Sequence, residues 1–193
     1  MQILIWSAKG GVGKTAISAC LFQYLKDFQI ITNDKMNPYN LILKKEQYYL
    51  ISDNQSIPIF SSKENLVYDL GGYGSKAIKP FIEQNKELII LIPFTPDVVS
   101  FQVAISVYNE IKNLNENIFF VLNRSKKGDY NIFKEQLKKM NINKTLFEIK
   151  ESKLFQNIFN TKQSIKDVKS NKLLSHSYKT VFEQINSLTE GIK

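Results

Sequence analysis

The stretch Ala8-Lys9-Gly10-Gly11-Val12-Gly13-Lys14-Thr15-Ala16 combines the residue types needed to hold phosphate groups. Gly10, Gly11 and Gly13 let the main chain approach phosphate oxygens closely and turn the N–H groups of Gly10, Gly11, Val12, Gly13 and Ala16 toward them. Lys14 is placed to reach the β- and γ-phosphates of a nucleoside triphosphate, and the Thr15 hydroxyl to ligate Mg²⁺. Both expectations depend on the elements flanking the loop.

Before the loop runs the apolar segment Ile3-Leu4-Ile5-Trp6, which predicts a buried strand. After it, Ile17, Leu21, Tyr24, Leu25 and Phe28 recur every three or four residues, predicting a helix over Thr15 to Lys26. Strand, glycine loop and helix are the arrangement in which a helix N-terminus adds partial positive charge to the loop. The usual form of the motif begins with glycine. Here that position is Ala8, and a second lysine, Lys9, follows it. The pattern K-G-G-x-G-K-T resembles the deviant Walker A motif of the ParA/MinD family of dimerising ATPases. The resemblance implies ATP and Mg²⁺ as ligands, ATP-dependent homodimerisation, and contact of Lys9 with the partner subunit's nucleotide phosphates.

Other segments fit the resemblance in the expected order. A strand over Gln29 to Thr32 delivers Asn33 and Asp34 to its carboxyl end. In the family that strand ends in two acids and Pro-Gln, and the second acid helps position Mg²⁺ and the attacking water. Asp34 matches that acid, while Thr32 stands in the first position and Lys35-Met36 replaces Pro-Gln. Asp34 is therefore either a catalytic and metal-site acid or a turn residue beside Asn37-Pro38. Leu66-Val67-Tyr68-Asp69-Leu70-Gly71-Gly72 reads as a Walker B strand: Asp69 would hold Mg²⁺ through water, and Gly71-Gly72 would sense the γ-phosphate. Without the glycine loop upstream, the same run would be read as a structural turn. Ile118 to Arg124 is a buried-strand run ending in Asn123-Arg124; by resemblance Asn123 recognises adenine, and by its residue type alone it caps a strand end.

The remaining elements are structural expectations. Residues 40–60 predict an extended hairpin, with Gln47 to Ile51 and Ile57 to Phe60 as its arms around a turn at 52–56. A helix is expected over Ser75 to Gln84, a strand over Leu88 to Ile92, and a long helix from Asp97. Ile92-Pro93-Phe94-Thr95-Pro96 resembles the strand that follows Walker B in ParA-like proteins. Further on come a helix near Tyr130 to Met140, a strand over Thr145 to Ile149, and the segment Leu154 to Ile165, with Gln163 at a family glycine position. One last helix is expected near Asn171 to Leu188. The whole, residues 1–193, predicts a single P-loop ATPase domain of α/β class, with a doubly wound, mostly parallel sheet and helices on both faces.

Composition narrows the function. The one cysteine, Cys20, lies among apolar helix positions, which excludes an internal disulfide and argues against an iron–sulfur relative. Residues 1–123 carry 11 Lys and Arg against 11 Asp and Glu, and residues 124–193 carry 15 against 7, so the net charge of +8 arises in the last third. Such a region suits DNA phosphates or an anionic membrane, or is a lysine-rich solvated surface. The expectation is a short ParA-type plasmid or chromosome partition ATPase with slow, partner-stimulated hydrolysis. It would bind non-specific DNA as an ATP dimer and release it when a centromere-binding, ParB-like partner stimulates hydrolysis. It would be cytoplasmic and nucleoid-associated, with no membrane partner. The alternatives are a conjugation-accessory ParA-like ATPase, a MinD-like membrane-cycling protein, and a small-molecule enzyme related to dethiobiotin synthetase.

Overall fold

Seven strands form one sheet in the order β3-β2-β4-β1-β5-β6-β7, and every neighbouring pair is parallel. They are β1 (Gln2–Ile5), β2 (Gln29–Thr32), β3 (Tyr48–Leu50), β4 (Leu66–Asp69), β5 (Ile89–Phe94), β6 (Ile118–Ser125) and β7 (Leu146–Lys150). The computed structural model describes residues 1–36, 38–52, 57–61, 64–71 and 75–193. The expected Gly72 and the 53–56 part of the expected turn lie outside the described residues.

Period-2 alternation along the strands divides the core between two faces. Leu4, Tyr68, Ile90, Ile92 and Phe120 point to one side, where they meet α2 (Ser75–Gln84), α3 (Val98–Ile111) and α4 (Asp129–Lys139) through residues such as Ile82, Phe101, Ala104 and Phe133. Ile3, Ile5, Val67, Leu91 and Val121 point to the other, where α1 (Lys14–Tyr24), α5 (Leu154–Thr161), α6 (Ile165–Ser170) and α8 (Lys179–Gly191) supply Ile17, Leu21, Ile158, Ile165 and Ile185. Helices thus cover both faces, as in a doubly wound α/β fold. Cys20 is packed in the second layer at 1% exposure, and burial pushes its thiol pKa up.

Two expectations are corrected. The hairpin at 40–60 does not form: β3 pairs in parallel with β2, Ile30 opposite Tyr48 and Thr32 opposite Leu50. Ile57 to Phe60 is not a strand; Ile57 is buried in the first core layer, and Pro58 has no N–H for a ladder. Before β3 come two short 3₁₀ turns, Pro38–Leu41 and Lys45–Gln47. The single last helix is two, α7 (Lys172–Ser177) and α8, broken at Tyr178. There φ is −108° and ψ 12°, and the Tyr178 hydroxyl accepts from the Asn157 amide on α5 at 2.6 Å. The expected stripe still faces the core, with Val181, Ile185 and Leu188 buried and Leu174 and Tyr178 partly so. In the segment after α5, the residue in the left-handed region is Lys162, at φ 55°, and Gln163 follows it.

Candidate nucleotide-binding site

β1 is flanked by β4 and β5, so the loop leaving its carboxyl end lies where the sheet order reverses direction, the position at which open α/β sheets bind ligands. The Trp6 N–H donates to Leu91 O at 3.0 Å, and the chain then turns across the sheet edge into α1. Gly11 at φ 75° and Gly13 at φ 93° require glycine, because L side chains are strained there. Gly13 has a second reason: a Cβ on it would lie 2.1 Å from Asn123 Nδ2. Gly13 is also the N-cap of α1 and covers none of its first N–H groups with a side chain, and the first turn of α1 holds no acidic residue. Those N–H groups and the helix dipole are therefore directed toward the loop, as an anion site requires.

The two lysines point in different directions. Lys14 Nζ folds over the loop and donates to Lys9 O at 3.2 Å and Ser7 O at 3.4 Å. Burial lowers its pKa, and the charge of Asp69 acts against that shift. Lys9 Nζ turns outward to Asp97 Oδ1 at 2.9 Å, in a pair whose side chains are 31% and 46% exposed. Asp97 is fixed in turn: Thr95 Oγ1 donates to its Oδ2 at 2.6 Å, and the Ser100 N–H donates to its Oδ1 at 2.8 Å, capping α3. The Thr95 hydroxyl, the Lys9 ammonium and the Ser100 amide hold the Asp97 carboxyl at about 2.

Asp69 ends β4 beneath the loop at 2% exposure. Burial raises its pKa, while hydrogen bonds from Tyr39 and Thr15 and the charge of Lys14 favour its ionised form. The Tyr39 hydroxyl donates to Asp69 Oδ2 at 2.6 Å. Tyr39 is fully buried in the 3₁₀ turn after β2, and its pKa is raised well above the usual range by burial, then by the Asp69 charge. Sequence reading missed this residue; an aromatic in a polar, proline-marked turn was its signal. Asp34 is half-buried after β2, and its Oδ1 accepts from the Met36 N–H at 3.0 Å, a local Asx-type turn. It is near enough for its charge to bear on both Tyr39 and Asp69.

The donors gathered here fit Mg²⁺. Thr15 offers a hydroxyl hydrogen-bonded to the Asp69 carboxylate, both hard oxygen ligands. Among the described residues no cluster of three or more His, Cys, Asp or Glu is arranged as a metal cage.

Asn123 sits under the loop at 2% exposure. Its Nδ2 donates to Val12 O at 2.8 Å, and its Oδ1 accepts from the Arg124 N–H at 3.0 Å. The amide expected to read a base is thus bonded to the glycine-rich loop and to its own neighbour. The exposed residue at this strand end is Arg124, at φ 58°. Arg124 borders a cleft of about 430 Å³ running from Gly11, Gly13 and Thr15 to Phe155 and Phe159 on α5. The structure therefore gathers Lys14, Thr15, Asp69 and Asn123 around one loop, with Asp34 beside them and Lys9 turned to the rim.

The sequence matches no protein-family model and no curated protein. Solved structures do match across the chain. A variant of McdA from Cyanothece in complex with ATP is 15% identical, covering 100% of this chain and 96% of its own, with a TM-score of 0.68. The MinD cell division protein of Aquifex aeolicus is 16% identical over 98% and 96%, with a TM-score of 0.62. A plasmid partition protein of Borrelia burgdorferi is 18% identical over 83% and 96%, with a TM-score of 0.53. At these identities the likeness speaks for architecture: this chain is built on the α/β P-loop fold of the ParA/MinD-type proteins.

Proposed function

We propose that the chain is a dimerising ATPase of the ParA type, which binds ATP with Mg²⁺ at the loop 9–16 and hydrolyses it slowly. The observation that carries the reading is the division of labour between the lysines. Lys14 lies over its own loop, whereas Lys9 is held at the rim by an exposed ion pair that a second subunit can displace.

In this mechanism the loop N–H groups and the start of α1 bind the phosphates, and Lys14 offsets charge developing on the β–γ bridge. Mg²⁺, when bound, would supply positive charge that offsets the charge developing on the phosphates. Thr15 and Asp69 would hold it, the second through water. Asp34 would orient the attacking water, Asn123 holds the loop through Val12 O, and Arg124, which borders the cleft, would face the nucleoside. Lys9 would reach the partner subunit's phosphates across an ATP sandwich. Lys14→Ala is expected to abolish nucleotide binding, and Lys9→Ala to spare it in the monomer while preventing ATP-dependent dimerisation. Equal loss of ATP affinity in both variants would refute the sandwich.

The biological reading is DNA partition, with non-specific DNA bound by the ATP dimer through lysines of the last third and a ParB-like protein as the stimulating partner. Lys138, Lys139, Lys166, Lys169, Lys172 and Lys179 are exposed in support of it. No described helix is long and apolar enough to cross a membrane, and the apolar residues of α8 are spent on the core. Co-sedimentation with DNA and with anionic liposomes, each with ATP, ADP or no nucleotide, tests the reading. ATP-dependent, salt-sensitive DNA binding is the expected result; liposome binding alone would replace it with a membrane-cycling function.

A further inference from the structure

We infer that Asn33 and Tyr39 are positioning residues that stitch the loop after β2 to the end of β4, so that loading of the phosphate loop is sensed by residues 33–41. The inference rests on the ATP reading above and concerns side chains to which that reading gives no role.

The β2–β4 ladder ends with Thr32 opposite Asp69. Beyond it, the Asn33 side chain continues the pairing in place of main chain. Its Nδ2 donates to Gly71 O at 2.6 Å, and its Oδ1 accepts from the Gly71 N–H at 2.9 Å. A primary amide donates and accepts at once, so it can replace one peptide unit of a ladder. The chain then returns, and six residues later the buried Tyr39 phenol donates to Asp69 Oδ2.

This second bond sets the rotation of the carboxylate. A buried carboxylate needs donors, and Asp69 takes them from Tyr39 and from Thr15. With Oδ2 committed to Tyr39, the group is held toward Thr15 and the phosphate loop. Outer contacts of this kind orient metal-site ligands and tune their strength. Tyr39 also touches Ser18 of α1 and lies 6.5 Å, centroid to centroid, from Tyr48 at the start of β3. The span 33–39 is therefore tethered at both ends to β4. Between the tethers lie Asp34 and Met36, the latter 87% exposed. Nucleotide that fixes Asp69 and Gly71 would, through these bonds, also restrain Asn33 and Tyr39.

Hydrogen–deuterium exchange on the full chain, with and without Mg²⁺ and a non-hydrolysable ATP analogue, tests the stitch. In the natural sequence the analogue is expected to protect peptides covering 9–16 and 33–41 together. In Tyr39→Phe and in Asn33→Ala, protection at 9–16 should persist, while at 33–41 exchange should speed up at least about tenfold, in keeping with loss of one hydrogen bond to a carboxylate in the first and of two to main chain in the second. Tyr39→Phe should also raise the Mg²⁺ concentration for half-maximal analogue binding about tenfold, with affinity in EDTA unchanged. Should Tyr39→Phe not fold, Asn33→Ala carries the test alone, since its bonds lie at a loop. Protection of 33–41 retained in the variants would overturn the inference. No protection at 9–16 in the natural sequence would overturn the ATP reading beneath it.

Discussion

Asp97→Asn separates the two tasks of Asp97. Its carboxylate caps α3 through Ser100 and pairs with Lys9. Asparagine caps a helix about as well as aspartate, so the substitution keeps the cap and removes the charge. An ion pair of this exposure is worth about 0.2–1 kcal/mol. If Lys9 must leave Asp97 to reach a partner's nucleotide, two pairs are given up per dimer, about 0.4–2 kcal/mol in all. Asp97→Asn should then tighten ATP-dependent dimerisation roughly two- to thirtyfold, at about 1.4 kcal/mol per factor of ten. Sedimentation over a dilution series with Mg²⁺ and a non-hydrolysable ATP analogue measures this, and the gain should shrink in salt approaching ~1 M. Because Asp97 is held at about 2, the pair contributes fully above the usual carboxyl range and is lost only as pH falls from there toward about 2. The difference between variant and natural sequence should therefore be flat across neutral pH. An Asp97→Asn protein that dimerises no more tightly, while Lys9→Ala does not dimerise at all, would refute the restraint on Lys9.

Three further predictions follow from the site and its surroundings. Gly13→Ala, at φ 93° and against the Asn123 amide, should cost at least about 1–2 kcal/mol and lower Tm by roughly 2–8 °C; an unchanged melting curve would refute the packing of loop on Asn123. Asp34→Ala is expected to slow hydrolysis and leave the ATP dimer intact, and turnover equal to the natural sequence would remove Asp34 from the mechanism. Charge reversal at Lys138 and Lys139 on α4, or at Lys169 and Lys172 on α6 and α7, probes opposite layers of the sheet. If one layer faces DNA, only one pair should weaken binding, with the log–log salt slope flattening by about 0.9 for each phosphate that is no longer neutralised.

The strand–loop–helix around 8–16 was legible because its pattern is local: glycine spacing, two lysines and a threonine stand next to one another. The parallel sheet was legible for a related reason, since buried strands carry near-continuous apolar runs such as Leu88 to Ile92. Residues 40–60 were misread because periodicity identifies a strand but not its partner; Tyr48 to Leu50 pairs with β2, and Ile57 is taken by the core. Tyr39 and Asn33 were missed because their importance lies in hydrogen bonds to residues 30 and 38 positions away. Asn123 was located correctly at its strand end, yet its bond to Val12 depends on how two loops meet. Charge counting placed the lysines in the last third and could not show that α4 and α6 lie on opposite faces.

The central place of β1 also fixes when the site can exist during synthesis. Its neighbours are residues 66–69 and 89–91, and the amide that shapes its loop arrives 111 residues after Val12. The loop after β1 thus leaves the ribosome 111 residues ahead of the amide that shapes it. Until residue 123 has emerged, Ile3, Leu4 and Ile5 have incomplete cover, and a nascent chain of that length carries the motif without the site.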